Sequence, residues 1–193
     1  MKTLDDAWRW YQDAEKSLKL VYRLGEKHWL KLPRDDASSL LRDDAFRMLE
    51  PHDITVPAKY ALGHLDDLAI VVMFSVFEAT VRENILAQIK PEAATLQHES
   101  LKKAAKELAE EIRMGSFFHV LAPFRAQEPG LTEEVDQVRE YRNWVAHGKR
   151  KAVPNVVTPE VAYGRLARFL EEFITIALMS EEEWLATFRV AAE

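Results

Sequence analysis

A short segment near the end of the chain brings together three side chains with different chemistry. Arg142, Asn143 and His147 place a guanidinium, an amide and an imidazole within six residues. A guanidinium can hold two phosphate oxygens at once, and an imidazole can give or take a proton near neutral pH. These residue types therefore predict a site that binds phosphate and transfers protons. On a helix His147 lies one turn after Asn143, whereas Arg142 lies about 140° from His147 around the axis.

Positive charge is concentrated in the same segment. From Arg139 to Lys151 there are five cationic side chains and one anionic side chain, a local charge of +4 in a chain whose formal net charge is −6. The cations that accompany Arg142 are Arg139, Lys149, Arg150 and Lys151. Because the remainder of the chain is acidic, we expect any contact with nucleic acid to be local rather than spread over a broad basic surface.

The same residues also have a purely structural interpretation. Cations near the C-terminus of a helix complement its dipole, and a histidine in the last turn can hydrogen-bond the final carbonyls. Gly148 follows His147 directly, and glycine is the usual residue just past a helix end. A helix terminus without catalysis is therefore the alternative to a reactive site.

Composition predicts a single compact domain over residues 1–193, with 48% apolar and 30% charged residues. The chain has no cysteine, which excludes disulfides and thiolate zinc sites and favours a reducing intracellular compartment. The charged residues near Met1 do not resemble a secretory signal, so we expect a cytoplasmic protein. The apolar run Leu68–Phe77 is much shorter than the roughly 20 residues of a membrane span, and no membrane contact is predicted.

Apolar residues recur at helical spacing along the chain and predict an all-α fold, an up-and-down helical bundle with additional short helices. The predicted helices cover residues 4–32, 35–49, 58–89 and 100–114, a segment from Thr132 through His147, a segment from Pro159 to about Met179, and a short tail after Ser180. We expect prolines to keep residues 50–57 as a loop and Pro91 to end the central helix. Gly115, Thr132 and Thr158 are the predicted terminator and caps, and residues 116–130 are predicted to form an apolar connection packed on the core.

Glu78 and Arg82 are the charged residues in the most apolar predicted helix. They are four residues apart, so they can pair on one face of that helix, and a structural ion pair is the favoured interpretation. The alternative is that the Glu78 carboxylate reaches the helix that carries Arg142 and His147 and orients one of them.

Other candidate sites are weaker. The segments 64–67 and 52–53 each offer at most two metal ligands, too few for a closed metal site. Aromatic residues between Trp8 and Trp29 have helical spacing, which favours packing in a core or a dimer over stacking on bases. Trp144 lies between Asn143 and His147, and it is the one aromatic residue for which stacking on a base remains a candidate role. The chain also lacks a glycine-rich phosphate loop and a serine nucleophile motif.

The pattern Arg142-Asn143-x-x-x-His147, hereafter the signature, resembles that of HEPN-domain proteins. In that family an arginine is followed by four to six residues and a histidine, often with a polar residue directly after the arginine. Only this window is specific, although the predicted helical order agrees over most of the chain. The resemblance implies a helical bundle that dimerises through facing signature helices. It also implies that Arg142 and His147 are the catalytic pair and that Asn143 supports them.

Many HEPN proteins are metal-independent endoribonucleases of toxin, phage-defence or RNA-processing systems, and others have lost catalysis. The resemblance thus predicts RNA cleavage through attack by the 2′-hydroxyl, without metal or cofactor, with Arg139, Lys149, Arg150 and Lys151 binding the RNA. Because Arg142 and His147 do not share a stripe on one helix, we expect a homodimer to complete the site. An antitoxin or another regulatory protein is a further expected partner. The alternative is a catalytically inactive interaction or nucleotide-sensing module.

Overall fold

The computed structural model describes residues 1–32, 44–150, 152 and 154–175. These ranges are 84% helical and contain no strand, which confirms the prediction of an all-α helical bundle. The predicted tail after Ser180, most of the predicted helix at 35–49 and the residue Lys151 lie outside the described residues.

Contacts divide the chain into two compact units. The N-terminal unit comprises Asp5–Ala69. The signature unit comprises Met1–Leu4 and the described residues from Ile70 onward. All three signature residues belong to the signature unit, so the candidate site lies within that unit.

The N-terminal unit is built from α1 and the first part of α3, with short helical turns between them. Its elements are α1 (Leu4–Arg23), a π-helical turn (Leu24–His28), a 3-10 turn (Trp29–Lys31), α2 (Asp44–Arg47) and the beginning of α3 (Pro51–Thr95). The Tyr11 hydroxyl donates to Asp66 Oδ1 at 2.9 Å, and the Trp29 indole donates to the Leu49 carbonyl at 2.8 Å. The predicted first helix is therefore confirmed to Arg23 and continues as π-helical and 3-10 turns.

The bounds of α3 correct two expectations about proline. The predicted loop at 50–57 is wrong, because Pro51 occupies the first helical position, where its missing N–H costs no helical hydrogen bond. The Glu50 backbone N–H donates to Asp53 Oδ2 at 2.8 Å, as the acid in a capping box accepts it. Pro91 does not end the helix either, since α3 continues to Thr95. A proline inside a helix removes one backbone hydrogen bond, and α3 continues past Pro91 for one further turn despite that loss.

The rest of the signature unit packs around the second part of α3. Its further elements are α4 (Glu99–Met114), α5 (Phe117–Arg125), α6 (Pro129–Ala146), α7 (Pro159–Leu170) and a π-helical turn (Glu171–Thr175). Phe77 of α3 is fully buried, and its ring contacts Phe117 of α5 and Phe169 of α7 with centroid distances of 5.8 and 5.4 Å. This aromatic cluster holds α3, α5 and α7 together.

Several helix ends differ from the predictions. Residues 116–130 were expected to be a connection, but they contain α5, whose Phe117 and Leu121 are buried as predicted. Thr132 is not a cap, because α6 already begins at Pro129 and the Thr132 hydroxyl donates to the Glu128 carbonyl inside the helix. Gly115 does follow the end of α4. Thr158 is the confirmed cap of α7, which runs to Leu170 and continues as a π-helical turn to Thr175. The rest of the predicted helix, to about Met179, lies outside the described residues.

By length and composition α3 also meets the requirements of a membrane span, with a mean hydropathy of 1.5 over its most apolar window. The run Leu68–Phe77 alone is too short, but the complete helix is not. The central helix of a water-soluble bundle has the same composition. Ile70, Met73, Phe74 and Phe77 are fully buried inside the protein, and 39% of the most apolar window is buried.

Candidate functional site

The end of α6 positions the signature through a specific helix-terminating turn. The Lys149 N–H donates to the Trp144 carbonyl, and the Gly148 N–H donates to the Val145 carbonyl, both at 2.9 Å. Gly148 has φ +72°, the left-handed conformation that glycine adopts just past a helix end. These two hydrogen bonds define a Schellman motif in which His147 is the C-cap residue of α6. The structural role predicted for Gly148 is thus confirmed.

An open groove of about 590 Å³ lies beside this helix end. Asn143, Trp144 and His147 line it together with Arg139, Glu140 and Arg150. Asn143 and His147 are one turn apart on α6, which explains why both lie on the same wall. The structure therefore brings two of the three signature residues and two of the predicted RNA-binding residues into one groove.

The side chains of Asn143 and His147 retain unused hydrogen-bonding groups. Within the described part of the chain the exposed His147 imidazole makes no hydrogen bond or ion pair. The only side-chain hydrogen bond of Asn143 in that part is the one its Oδ1 accepts from Arg142 Nη1 at 3.0 Å. The imidazole and the amide N–H groups are therefore available to a ligand in the groove.

Arg142 contacts α3 and is not among the residues that line the groove. Its Nη2 donates to Glu78 Oε2 at 2.5 Å, and its guanidinium carbon lies 4.8 Å from the centroid of the Phe74 ring. The side chain is only 25% exposed, and its Nε has no partner among the described residues. Within one chain, then, Arg142 and His147 do not share the groove, as the 140° estimate from helical geometry implied.

Glu78 connects Arg142 to a second arginine. Its Oε1 accepts from Arg82 Nη2 at 2.7 Å and from Arg82 Nε at 3.1 Å. Arg82 also donates to the carbonyls of Ile112 and Gly115, where α4 ends. Both sequence-based interpretations of Glu78 are confirmed, since one carboxylate pairs with Arg82 and also orients Arg142. The three side chains carry a net charge of +1 and are largely shielded from solvent.

The sequence did not reveal a second carboxylate shared by two arginines. Asp136 accepts from Arg139 Nε at 2.5 Å through one oxygen and from Arg125 Nη2 at 3.4 Å through the other. The Phe118 ring lies against both guanidinium groups, with centroid distances of 4.6 Å to Arg125 and 5.5 Å to Arg139. The spacing of Asp136 and Arg139 on α6 was readable in the sequence, but the contribution of Arg125 from α5 was not. The Arg139 side chain therefore lines the groove in a position fixed by Asp136 and Phe118.

The cations after α6 are more exposed. Lys149 has φ +58°, and its ammonium lies 5.1 Å from the centroid of the Trp144 ring. Arg150 is exposed and lines the groove. Lys151, the last residue of the predicted RNA-binding set, lies outside the described residues. Trp144 and Arg150 thus form part of the groove wall, whereas Lys149 does not line the groove.

The histidine and acidic pairs noted in the sequence lie in the N-terminal unit. His52 Nε2 is 3.2 Å from Asp53 Oδ1, and the His64 ring packs edge-on against Tyr60. In the ranges that the structure describes, no group of three or more histidine and acidic side chains is placed to share a metal ion.

No model of a known protein family matches the chain, and no curated protein or solved structure is significantly similar to it.

Proposed function

We propose that the protein is a metal-independent endoribonuclease of the HEPN type, acting in the cytoplasm in a toxin or phage-defence system. The observation that supports this most is the pairing of Asn143 and His147 on one wall of an open groove, each with unused hydrogen-bonding groups. Arg139 and Arg150 line the same groove and provide positive charge for an RNA backbone.

The reaction would use the 2′-hydroxyl of the RNA as the nucleophile. A base removes the proton of this hydroxyl, the 2′-oxygen forms a bond to phosphorus, and the bond from phosphorus to the 5′-oxygen breaks as an acid protonates that oxygen. The products are a 2′,3′-cyclic phosphate and a 5′-hydroxyl. The exposed imidazole of His147 can perform either proton transfer.

One groove supplies one unpartnered imidazole, whereas the reaction needs a base and an acid. A homodimer with facing α6 helices would place a second His147 opposite the first, because an isologous interface repeats the same patch on both partners. The homodimer is thus part of the proposal. An antitoxin or other regulatory protein would act by covering the groove or by preventing this pairing.

The test is cleavage by the purified full-length protein of total RNA and of tRNA, with and without EDTA. We expect cleavage in EDTA and fragments that end in a 2′,3′-cyclic phosphate. Absence of cleavage of either RNA, or cleavage only after addition of a divalent cation, would contradict the proposal.

One observation favours a second candidate, a catalytically inactive module that binds nucleotides or a partner. Arg142 is held by Glu78 and lies outside the groove, so the arginine and histidine expected to act together are separated within the chain. In that case the protein would bind RNA or a nucleotide in the groove and release it without cleavage. Binding without cleavage, measured with the same RNAs, distinguishes this candidate from the nuclease.

A further inference from the structure

We propose that Asn143 is the residue that donates hydrogen bonds to the substrate phosphate, and that Arg142 is a positioning residue that holds Asn143 in place. As a statement about catalysis, this rests on the proposed nuclease function. It reverses the roles that the resemblance implied, in which Arg142 belongs to the catalytic pair and Asn143 supports it.

The orientation of the Asn143 amide follows from the donors and acceptors present. Arginine has only N–H donors, so the Asn143 atom 3.0 Å from Arg142 Nη1 has to be the acceptor Oδ1. The two N–H groups on Nδ2 are then directed elsewhere, and no side-chain or backbone group in the described ranges accepts from them. Asn143 lines the groove one turn before His147, so these donors and the imidazole are available to the same ligand.

Arg142 is fixed by contacts that a phosphate ligand would have to break. Nη2 is bonded to Glu78, Nη1 is bonded to Asn143, and the guanidinium lies over the Phe74 ring. Moving this group into the groove would separate it from a largely buried carboxylate and release Asn143 at the same time. Separating one partner from a largely buried ion pair is unfavourable, because the remaining charge is left desolvated.

The anchor of this arrangement is the end of α4. Arg82 donates to the Ile112 and Gly115 carbonyls and to Glu78, and Glu78 in turn accepts from Arg142. The chain of contacts from Arg82 through Glu78 and Arg142 to Asn143 links the core of the signature unit to the groove wall. A fixed amide donor of this kind can stabilise charge that develops on a phosphate oxygen without transferring a proton.

The first test is Asn143→Asp. The aspartate keeps an oxygen that accepts from Arg142, but it removes both Nδ2 donors. We expect kcat to fall on the order of 100-fold or more, the typical effect of losing one preorganised donor, with an unchanged melting temperature. Asn84→Asp is the matched control, because Asn84 Oδ1 likewise accepts a side-chain hydrogen bond, from Gln88 on α3. A kcat within threefold of wild type for Asn143→Asp would overturn the proposal.

The second test separates positioning from direct phosphate binding by Arg142. In Glu78→Gln the charge that holds Arg142 is lost and the groove lining is untouched. If Arg142 positions Asn143, kcat falls about tenfold at nearly constant KM, and the same substitution has no further effect in the Asn143→Asp background. If Arg142 binds phosphate itself, releasing it from Glu78 leaves kcat equal or higher, which would overturn the proposal. Glu83→Gln, at an exposed position on α3, is the matched control.

A third test does not depend on cleavage. A uridine dinucleotide with a 2′-O-methyl group cannot attack its own phosphate, and it can be titrated into 15N-labelled protein. We expect the side-chain amide resonances of Asn143, assigned by their loss in Asn143→Asp, to shift on binding while the Arg142 Nε resonance stays in place. Amide resonances of Asn143 that do not move at saturating dinucleotide would overturn the assignment.

These results distinguish the two proposals. A wild-type protein that does not cleave RNA but shows the Asn143 shift contradicts the nuclease function and supports the phosphate-donor role. A wild-type protein that cleaves RNA while Asn143→Asp cleaves equally well supports the nuclease function and overturns the role assigned to Asn143.

Discussion

Glu78 Oε2 accepts a hydrogen bond from Arg142 Nη2 across 64 positions of sequence. This contact joins the buried centre of α3 to the last turns of α6, and it directs the guanidinium toward the core instead of toward the groove. The signature is therefore divided by the fold: Arg142 contacts α3, while Asn143 and His147 face the groove.

The Asp136 carboxylate offers a prediction in which stability and RNA affinity change in opposite directions. Asp136→Asn keeps the side-chain shape but removes the charge that Arg125 and Arg139 share. We expect the free energy of unfolding to fall by about 1 kcal/mol, because the largely buried Arg139 guanidinium and the partly exposed Arg125 guanidinium lose the charge of their common partner. RNA should bind more tightly, since the groove gains a net positive charge. Urea unfolding and fluorescence anisotropy with labelled RNA measure the two effects.

Asp13→Asn is the control for that experiment, because Asp13 is exposed on α1 and makes no ion pair within the described ranges. It should change neither the unfolding midpoint nor the dissociation constant. RNA binding by Asp136→Asn that is unchanged or weaker, at a temperature where the variant is fully folded, would contradict the predicted gain in affinity.

The turn after α6 predicts opposite outcomes for one chemical change at two glycines. Gly148→Ala places a Cβ at φ +72°, and we expect it to destabilise the protein by about 1 kcal/mol from backbone strain alone, since the site itself is open. Gly164→Ala also enters open space, but inside α7, where alanine is about 0.8–1.0 kcal/mol more favourable than glycine. Thermal unfolding of the two variants measures the difference. A stabilised Gly148→Ala would show that the Schellman motif does not form in solution.

The contribution of Arg150 to RNA binding should appear in its salt dependence. Arg150 is exposed at the groove, so replacing it with glutamine removes one phosphate contact without disturbing a packed residue. We expect the slope of log K against log salt to become less steep by about 0.7, the value for one contact to a single strand. Arg9→Gln, at an exposed position on α1, makes the same charge change and should leave the slope unaltered. An unchanged slope in Arg150→Gln would remove Arg150 from the RNA-binding surface.

Much of the fold was accessible from helical periodicity, because apolar residues recur wherever a helix packs on a core. The end of α6 was predictable as well, since glycine adopts the left-handed conformation past a helix end without the steric cost that a Cβ imposes on other residues. The prolines gave the largest errors. Pro51 begins a helix, whereas Pro57 and Pro91 lie inside one, and proline type alone does not distinguish these positions.

The parts of the candidate site that lie on a single helix were predictable from the sequence. Spacing placed Asn143 and His147 on a common face and separated Arg142 from His147, in agreement with the residues that line the groove. The pairing of Glu78 with Arg82 followed from their separation of four residues. The bond from Arg142 to Glu78 was predicted only as the alternative to that pairing, and the structure contains both. Contacts between distant helices, such as that of Arg125 with Asp136, depend on packing that periodicity does not encode.

The most direct test of the nuclease proposal is RNA cleavage by His147→Ala beside His98→Ala. The His98 side chain is exposed and makes no cap hydrogen bond, so its loss should leave cleavage and folding unaltered. We predict that His147→Ala loses cleavage of total RNA and tRNA by at least 100-fold, because the groove loses its imidazole, while its dimer mass by light scattering equals that of wild type. Cleavage by His147→Ala at the wild-type rate would contradict the proposed function.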